Sequence, residues 1–209
     1  MKNFLFLAAV MLFAGTVKAQ VVQINPYAGY STPSAIQLYY GKVRTDDAVN
    51  FGLNLSFGDQ GEAYGGVVQN AFIELQYNYM KTGLEYDSYD LSISDDYYVS
   101  DLGVHNIMLG VTKGQGNEVI TGYGGLYFGA SVFDPTDNNY NTRTRFTMAF
   151  GAGMKYAFTD EIGMRLHAQM YMPFWGTGYT VGWGYGGVSA AAVNVYANFN
   201  LGVYASIGG

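Results

Sequence analysis

His105 and His167 are the only histidines in this 209-residue chain, and it contains no cysteine. Without a thiol there is no disulfide, Cys–zinc or Cys-nucleophile chemistry. A hydrolase built on either histidine would need an acid to orient the ring and a serine hydroxyl within its reach. Neither histidine has such neighbours at a recognisable spacing, and the paired-His spacing of a zinc site is missing. The segment Asp134-Pro135-Thr136-Asp137-Asn138-Asn139 offers oxygen ligands but not the spacing of a calcium loop, so it reads as a turn. No catalytic, cofactor-binding or metal residue is assigned. What remains are charges embedded among small residues, namely Glu74, Arg145, Lys155, Arg165 and His167. A charge taken out of water alone is costly, so a set like this is expected to pair.

The elements that carry these charges explain their setting. Phe146, Met148, Phe150, Ala152, Met154, Tyr156 and Phe158 take every second position, with Arg145, Thr147, Ala149, Gly151, Gly153 and Lys155 between them. After a short gap, Ile162, Met164, Leu166, Ala168, Met170 and Met172 alternate with Gly163, Arg165, His167, Gln169 and Tyr171. Side chains of a strand point alternately to its two faces, so each run is a strand with one apolar and one polar face. The polar face holds glycine and ionised groups, the pattern of a barrel with lipid outside and a polar interior. The charges then form a lumen salt-bridge network of Glu74, Arg145, Lys155, Arg165 and His167, because an eight-stranded barrel is just wide enough for side chains to fill it.

Eight strands are predicted: 22–31, 48–57, 70–80, about 101–111, 118–133, 146–158, 162–172 and 193–207. Each meets the ~9–11 residues that a tilted membrane strand requires. An even count places both termini on one side, with short turns such as Thr159-Asp160-Glu161 there and long loops, 81–100 and 176–192, opposite. The connection 33–47 is open between a hairpin above the membrane and a small plug, with a ten-stranded barrel as the alternative. His105 falls on the outward parity near the loop-side rim. Tyr171, Trp175 and Tyr179, at the top of the seventh strand, suit an interfacial aromatic belt.

Composition agrees. Charged residues are 12% and aromatics 17%, with 29 glycines, which fits neither a disordered chain nor an average soluble domain. A formal net charge of −6 argues against nucleic acid as a partner. Residues 1–19 read as a secretory signal peptide: Lys2 opens it, Phe4 to Phe13 form a short apolar run, and Val17-Lys18-Ala19 a cleavage site. Residues 20–209 form the barrel domain, and no later segment has the ~18 apolar residues of a transmembrane helix.

The chain resembles the small OmpA-like outer-membrane β-barrels, especially the single-domain, Bacteroidetes-type versions. The resemblance rests on Pro26-Tyr27-Ala28-Gly29-Tyr30, Phe51-Gly52-Leu53-Asn54-Leu55, Gly124-Gly125-Leu126-Tyr127-Phe128-Gly129-Ala130 and, above all, the stretch 149–169. It implies an antiparallel up-and-down barrel in a bacterial outer membrane, with both termini periplasmic. No peptidoglycan-binding domain is expected after the barrel, so wall anchoring is not implied, and Ser206-Ile207-Gly208-Gly209 stands where many such barrels have an aromatic ending.

The functional expectation is a non-enzymatic structural or protein-interaction component, for example an accessory subunit of a larger outer-membrane complex. Its partners would be outer-membrane lipid and lipopolysaccharide, and other outer-membrane proteins. Exposed tyrosines supply rigid contact area, so Tyr86, Tyr89, Tyr97 and Tyr98 in one outer loop, and Tyr179, Trp183 and Tyr185 in another, are the candidate contact residues. A small or gated pore is the alternative, and a lipid-modifying barrel enzyme a more distant one. No cofactor is expected.

Overall fold

In the computed structural model the alternating runs become ten antiparallel strands. The structure describes residues 21–37, 41–60, 68–88, 97–137, 140–174 and 195–208. Residues 1–19, read above as a signal peptide, and Tyr89, Trp175, Tyr179, Trp183 and Tyr185 lie outside the described residues.

The strands are β1 (Val21–Ser31), β2 (Ser34–Gln37), β3 (Gly41–Thr45), β4 (Ala48–Gln60), β5 (Val68–Ser88), β6 (Tyr97–Gly116), β7 (Ile120–Pro135), β8 (Arg143–Ala157), β9 (Ile162–Pro173) and β10 (Tyr196–Ile207). Eight of them close a ring in chain order, β1-β4-β5-β6-β7-β8-β9-β10, and β10 pairs back onto β1. The remaining two, β2 and β3, form a hairpin inserted between β1 and β4, with β3 pairing to the outer part of β5 from Gly41↔Ser88 to Thr45↔Leu84. Segment 33–47 therefore contributes a hairpin beyond one rim, and the barrel has eight strands, not ten.

Two expected strands are longer than their alternation. The third runs to Ser88 and the fourth begins at Tyr97, so much of the expected loop 81–100 is ladder. Tyr86 and Tyr97 face each other across it in register. Beyond the lipid both sheet faces can be polar, so alternation fades while backbone pairing continues. At the opposite rim two turns are tight. Asn117 Oδ1 accepts from the Val119 and Ile120 amides at 3.0 and 2.6 Å. Thr159 Oγ1 accepts from the Glu161 and Ile162 amides at 3.3 and 3.1 Å. Such side-chain-capped turns reverse the chain in few residues. The described chain starts and stops at this same rim, here called the terminal end.

The wall is inverted relative to a soluble barrel. Phe51, Leu53, Ile73, Leu75, Ile107, Leu109, Val111, Phe150, Leu166, Phe199 and Leu201 are exposed on the outside. Asn50, Asn54, Glu74, Gln76, Asn78, Asn106, Arg165, Gln169 and Asn198 are buried inside. An apolar surface this continuous requires lipid to cover it, and a closed ring leaves no unpaired strand edge within that lipid.

The closing ladder between β1 and β10 has one interruption. Its register runs through Ile24↔Ala205 and resumes at Tyr27↔Gly202, with no partner assigned on β10 to Asn25 or Pro26. Proline has no N–H to donate there.

Candidate functional site

The lumen is filled in tiers. Nearest the terminal end, the Lys155 ammonium donates to Gln23 Oε1 at 2.6 Å and lies 4.3 Å from the centre of the Phe72 ring. A cation over an aromatic face is attracted by the ring quadrupole. Gln23 in turn donates to Ser206 Oγ at 3.1 Å, tying β8, β1 and β10 together.

One tier further in, Arg165 and Glu74 meet from opposite sides of the barrel. Arg165 Nη1 donates to Glu74 Oε1 at 2.9 Å and Nη2 to Oε2 at 3.0 Å, a two-pronged pair with both residues buried. Such a fork is stronger and more directional than a single contact. Ser56, Thr112 and Tyr127 hydroxyls also donate to the Glu74 carboxylate, at 3.1, 3.3 and 2.8 Å. Arg165 Nε donates to the Tyr123 hydroxyl at 2.5 Å. His167 stands 2.8 Å from that hydroxyl through Nδ1, and 3.0 Å from Gln169 Oε1 through Nε2. A carbonyl oxygen only accepts, so this placement assigns the proton to Nε2.

Above the ion pair, Gln76 and Gln169 join their amides across the interior, and Tyr171 donates to Gln169 Oε1 at 3.1 Å. Tyr171 thus lies in the lumen, fully buried and stacked on Tyr196 with ring centres 5.1 Å apart. This corrects its expected place in an outer aromatic belt. Its parity is that of Gln169 and His167, and parity decides which face of a strand a side chain takes.

The next tier is amide-rich. Asn78 donates to Asn50 at 2.9 Å, Asn106 and Asn198 donate to Asn78 at 3.3 and 3.2 Å, and Tyr196 donates to Asn106 at 2.8 Å. Towards the loop end the interior turns apolar, with Ala48, Met80, Leu102, Val104 and Phe133 in one buried cluster.

The expected charge set is therefore spread along the axis. Glu74 and Arg165 are brought together, His167 and Lys155 lie in flanking tiers, and Arg145 is at the loop end of β8, opposite Ser131. At ~3.3 Å of rise per residue, the ten steps along β8 from Arg145 to Lys155 span roughly 33 Å. The apolar cap is not among the features expected from the sequence, although Met80, Val104 and Phe133 do occupy the inward parity of their strands. Of the candidate contact tyrosines, Tyr86 and Tyr97 belong to the β5–β6 ladder. Tyr98 is exposed and donates to Asp101 Oδ1 at 2.5 Å. His105 is on the outer wall, 2.9 Å through Nδ1 from the Tyr77 hydroxyl. Among the described residues no three His, Asp or Glu side chains converge as a metal site.

A closed eight-stranded ring with a lipid-covered wall and a filled polar lumen defines the small outer-membrane β-barrel fold. Solved structures agree. The chain is similar to outer membrane protein OprG from Pseudomonas aeruginosa, with a TM-score of 0.52 and 11% identity over 90% of this chain and 96% of that one. It is also similar to Neisserial surface protein A, with a TM-score of 0.50 and 13% identity over 91% of this chain and 100% of that one. At these identities the likeness is one of fold. No protein-family model matches the sequence, and no curated protein matches it.

Proposed function

We propose that the chain is a non-enzymatic outer-membrane barrel, a structural or protein-interaction component of the OmpA-like, single-domain kind. In this reading residues 1–19 are removed on export, residues 20–209 form the barrel, and its termini face the periplasm. Outer-membrane lipid surrounds the wall, and other membrane proteins are met through the wall or the extended rim. The observation that carries the reading is the closed lumen. The Glu74–Arg165 fork and the Gln76–Gln169 pair cross it at successive levels, and the apolar cluster of Met80, Val104 and Phe133 follows. Side chains that bridge the lumen at successive levels supply rigidity and narrow any aqueous path through the described barrel. The names of the two similar structures, an outer membrane protein and a surface protein, support the same location.

Planar-bilayer recording of the folded barrel is the direct test. The expected result is no unitary conductance steps in the wild type or in Glu74→Ala. Steps in the wild type that change on removal of the Glu74 charge would replace this reading with a gated pore. Crosslinking in native membranes then asks what the barrel touches. Trimming the β5–β6 hairpin tip and residues 176–192 is expected to remove loop-borne contacts, while wall contacts persist.

A further inference from the structure

Three neighbouring strands carry a graded patch on the outer wall. Reading across β5, β6 and β7, the rung nearest the loop end is Lys81–Gly103–Asp134. The next is Tyr79–His105–Val132, and below it comes Tyr77–Ile107–Ala130. The fourth, Leu75–Leu109–Phe128, is wholly apolar, with all three side chains exposed. Within four rungs the wall passes from charge, through phenol and imidazole, to hydrocarbon. That is the order of chemistry met on leaving the headgroups of a bilayer for its core.

At the top of this gradient lies a depression of 560 Å³, lined by Tyr77, Tyr79, Lys81, Gly103, His105 and Asp134, with Pro135 and Thr136 closing its loop side. Gly103 makes the notch, because it is the one position of its rung without a side chain. The floor is rigid. The His105 ring packs on Tyr79 with centres 4.8 Å apart, and the Tyr77 hydroxyl is 2.9 Å from His105 Nδ1. The Asp134 carboxylate is oriented by Thr142, whose hydroxyl donates to Oδ1 at 2.5 Å.

The charges disfavour an anionic occupant. Lys81 is bound to Asp101 at 2.6 Å, and Asp101 also accepts from Tyr98 at 2.5 Å. Asp134 adds a second carboxylate beside this one cation. A phosphate would meet more negative than positive charge. A neutral, hydroxyl-rich ring suits the same groups. Its C–H face can lie on the aromatic floor, and its hydroxyls can donate to Asp134 and exchange hydrogen bonds with Thr136.

We propose that this notch is a subsite for the neutral hexose ring of a glycolipid in the surrounding leaflet, with an acyl chain running down the Ile107–Leu109 wall. The inference rests on the chain being a lipid-embedded barrel and names a partner for that wall. It does not depend on whether the lumen conducts, so its failure and that of the closed-lumen reading are separable.

The test uses the folded barrel in phosphatidylcholine nanodiscs, followed by amide NMR at Gly103 and His105. Monoglucosyl diacylglycerol is expected to shift both amides saturably, whereas sugar-free diacylglycerol and phosphatidylglycerol leave them in place. Gly103→Val fills the notch. A Cβ there would meet its nearest neighbours, Asp134 O and the Tyr79 ring, at 3.5 and 3.7 Å, ordinary contact distances, so the variant is expected to fold. It should bind the glycolipid about tenfold more weakly. Asp134→Asn, which keeps the shape, should weaken it less. Equal shifts from diacylglycerol with and without the sugar, or unchanged affinity in a folded Gly103→Val, would overturn the proposal. Tighter binding of phosphatidylglycerol, or free methyl glucoside binding as well as the glycolipid, would also overturn it, the last by assigning the notch to soluble glycan.

Discussion

Gln76 and Gln169, one on β5 and one on β9, exchange both of their side-chain amide hydrogen bonds across the lumen, at 2.7 and 2.8 Å. The pair is not symmetric in its surroundings. Gln169 Oε1 also accepts from His167 and Tyr171, whereas Gln76 Nε2 also donates to the Tyr27 hydroxyl. A buried donor left without an acceptor costs roughly 1–3 kcal/mol. Gln169→Leu is therefore expected to lower the urea midpoint in micelles more than Gln76→Leu. Equal losses would mean that the His167 and Tyr171 contacts contribute little.

The Glu74–Arg165 fork gives a larger effect of the same kind. Glu74→Ala strands a buried guanidinium and three hydroxyl donors, and breaking such a pair costs about 3–5 kcal/mol. Replacing both residues together, Glu74→Met with Arg165→Met, is expected to recover a large part of that loss, since no charge remains to be solvated. Equilibrium unfolding of the two variants decides it. A double variant as damaged as Glu74→Ala would locate the cost in the hydroxyl network of Ser56, Thr112 and Tyr127.

Two glycines separate a packing role from a bystander role. A Cβ on Gly52 would run into the Tyr27 ring and the Tyr77 carbonyl, whereas a Cβ on outward-facing Gly124 would meet its nearest atom, Gly151 O, at 3.9 Å. Overpacking typically costs about 1–3 kcal/mol, and surface changes stay within ~0.5 kcal/mol. Gly52→Ala should lower the unfolding midpoint clearly while Gly124→Ala leaves it nearly unchanged. The reverse order would show that Tyr27 can move aside.

The β2–β3 hairpin should be dispensable to the ring. Ser31 already pairs with Ala48, so β1 and β4 are neighbours without it. Exchanging residues 33–46 for a short Asn-Gly turn is expected to preserve folding, read as the heat-dependent shift in gel mobility of an intact barrel. Loss of folding would make the hairpin's ladder with β5 a requirement for closure.

Much of this architecture is legible in the sequence where lipid imposes alternation. The runs predicted for 146–158 and 162–172 match β8 and β9 to within a few residues, because each has lipid on one face and the polar lumen on the other. Beyond the lipid that constraint lapses, and the outer parts of β5 and β6 look like loop. Parity also identifies Glu74, Lys155, Arg165 and His167 as interior residues. It cannot say which of them meet, since contacts across a barrel depend on strand tilt and stagger as well as on face. The apolar cap escapes for a related reason: Met80, Val104 and Phe133 are hydrophobic residues on the face that otherwise carries amides.

The interrupted seam between β1 and β10 bears on the order of assembly. These are the first and last strands described, so the ring cannot close until the whole barrel sequence is available. Their contacts are also the most distant in the chain, and distant contacts require the largest loop closure. Until they form, an intermediate has two unpaired edges, which hydrocarbon does not tolerate. Entering the bilayer and joining the chain's two ends are thus coupled events. Pro26, which has no amide to contribute, stands at the joint where that final zippering must occur.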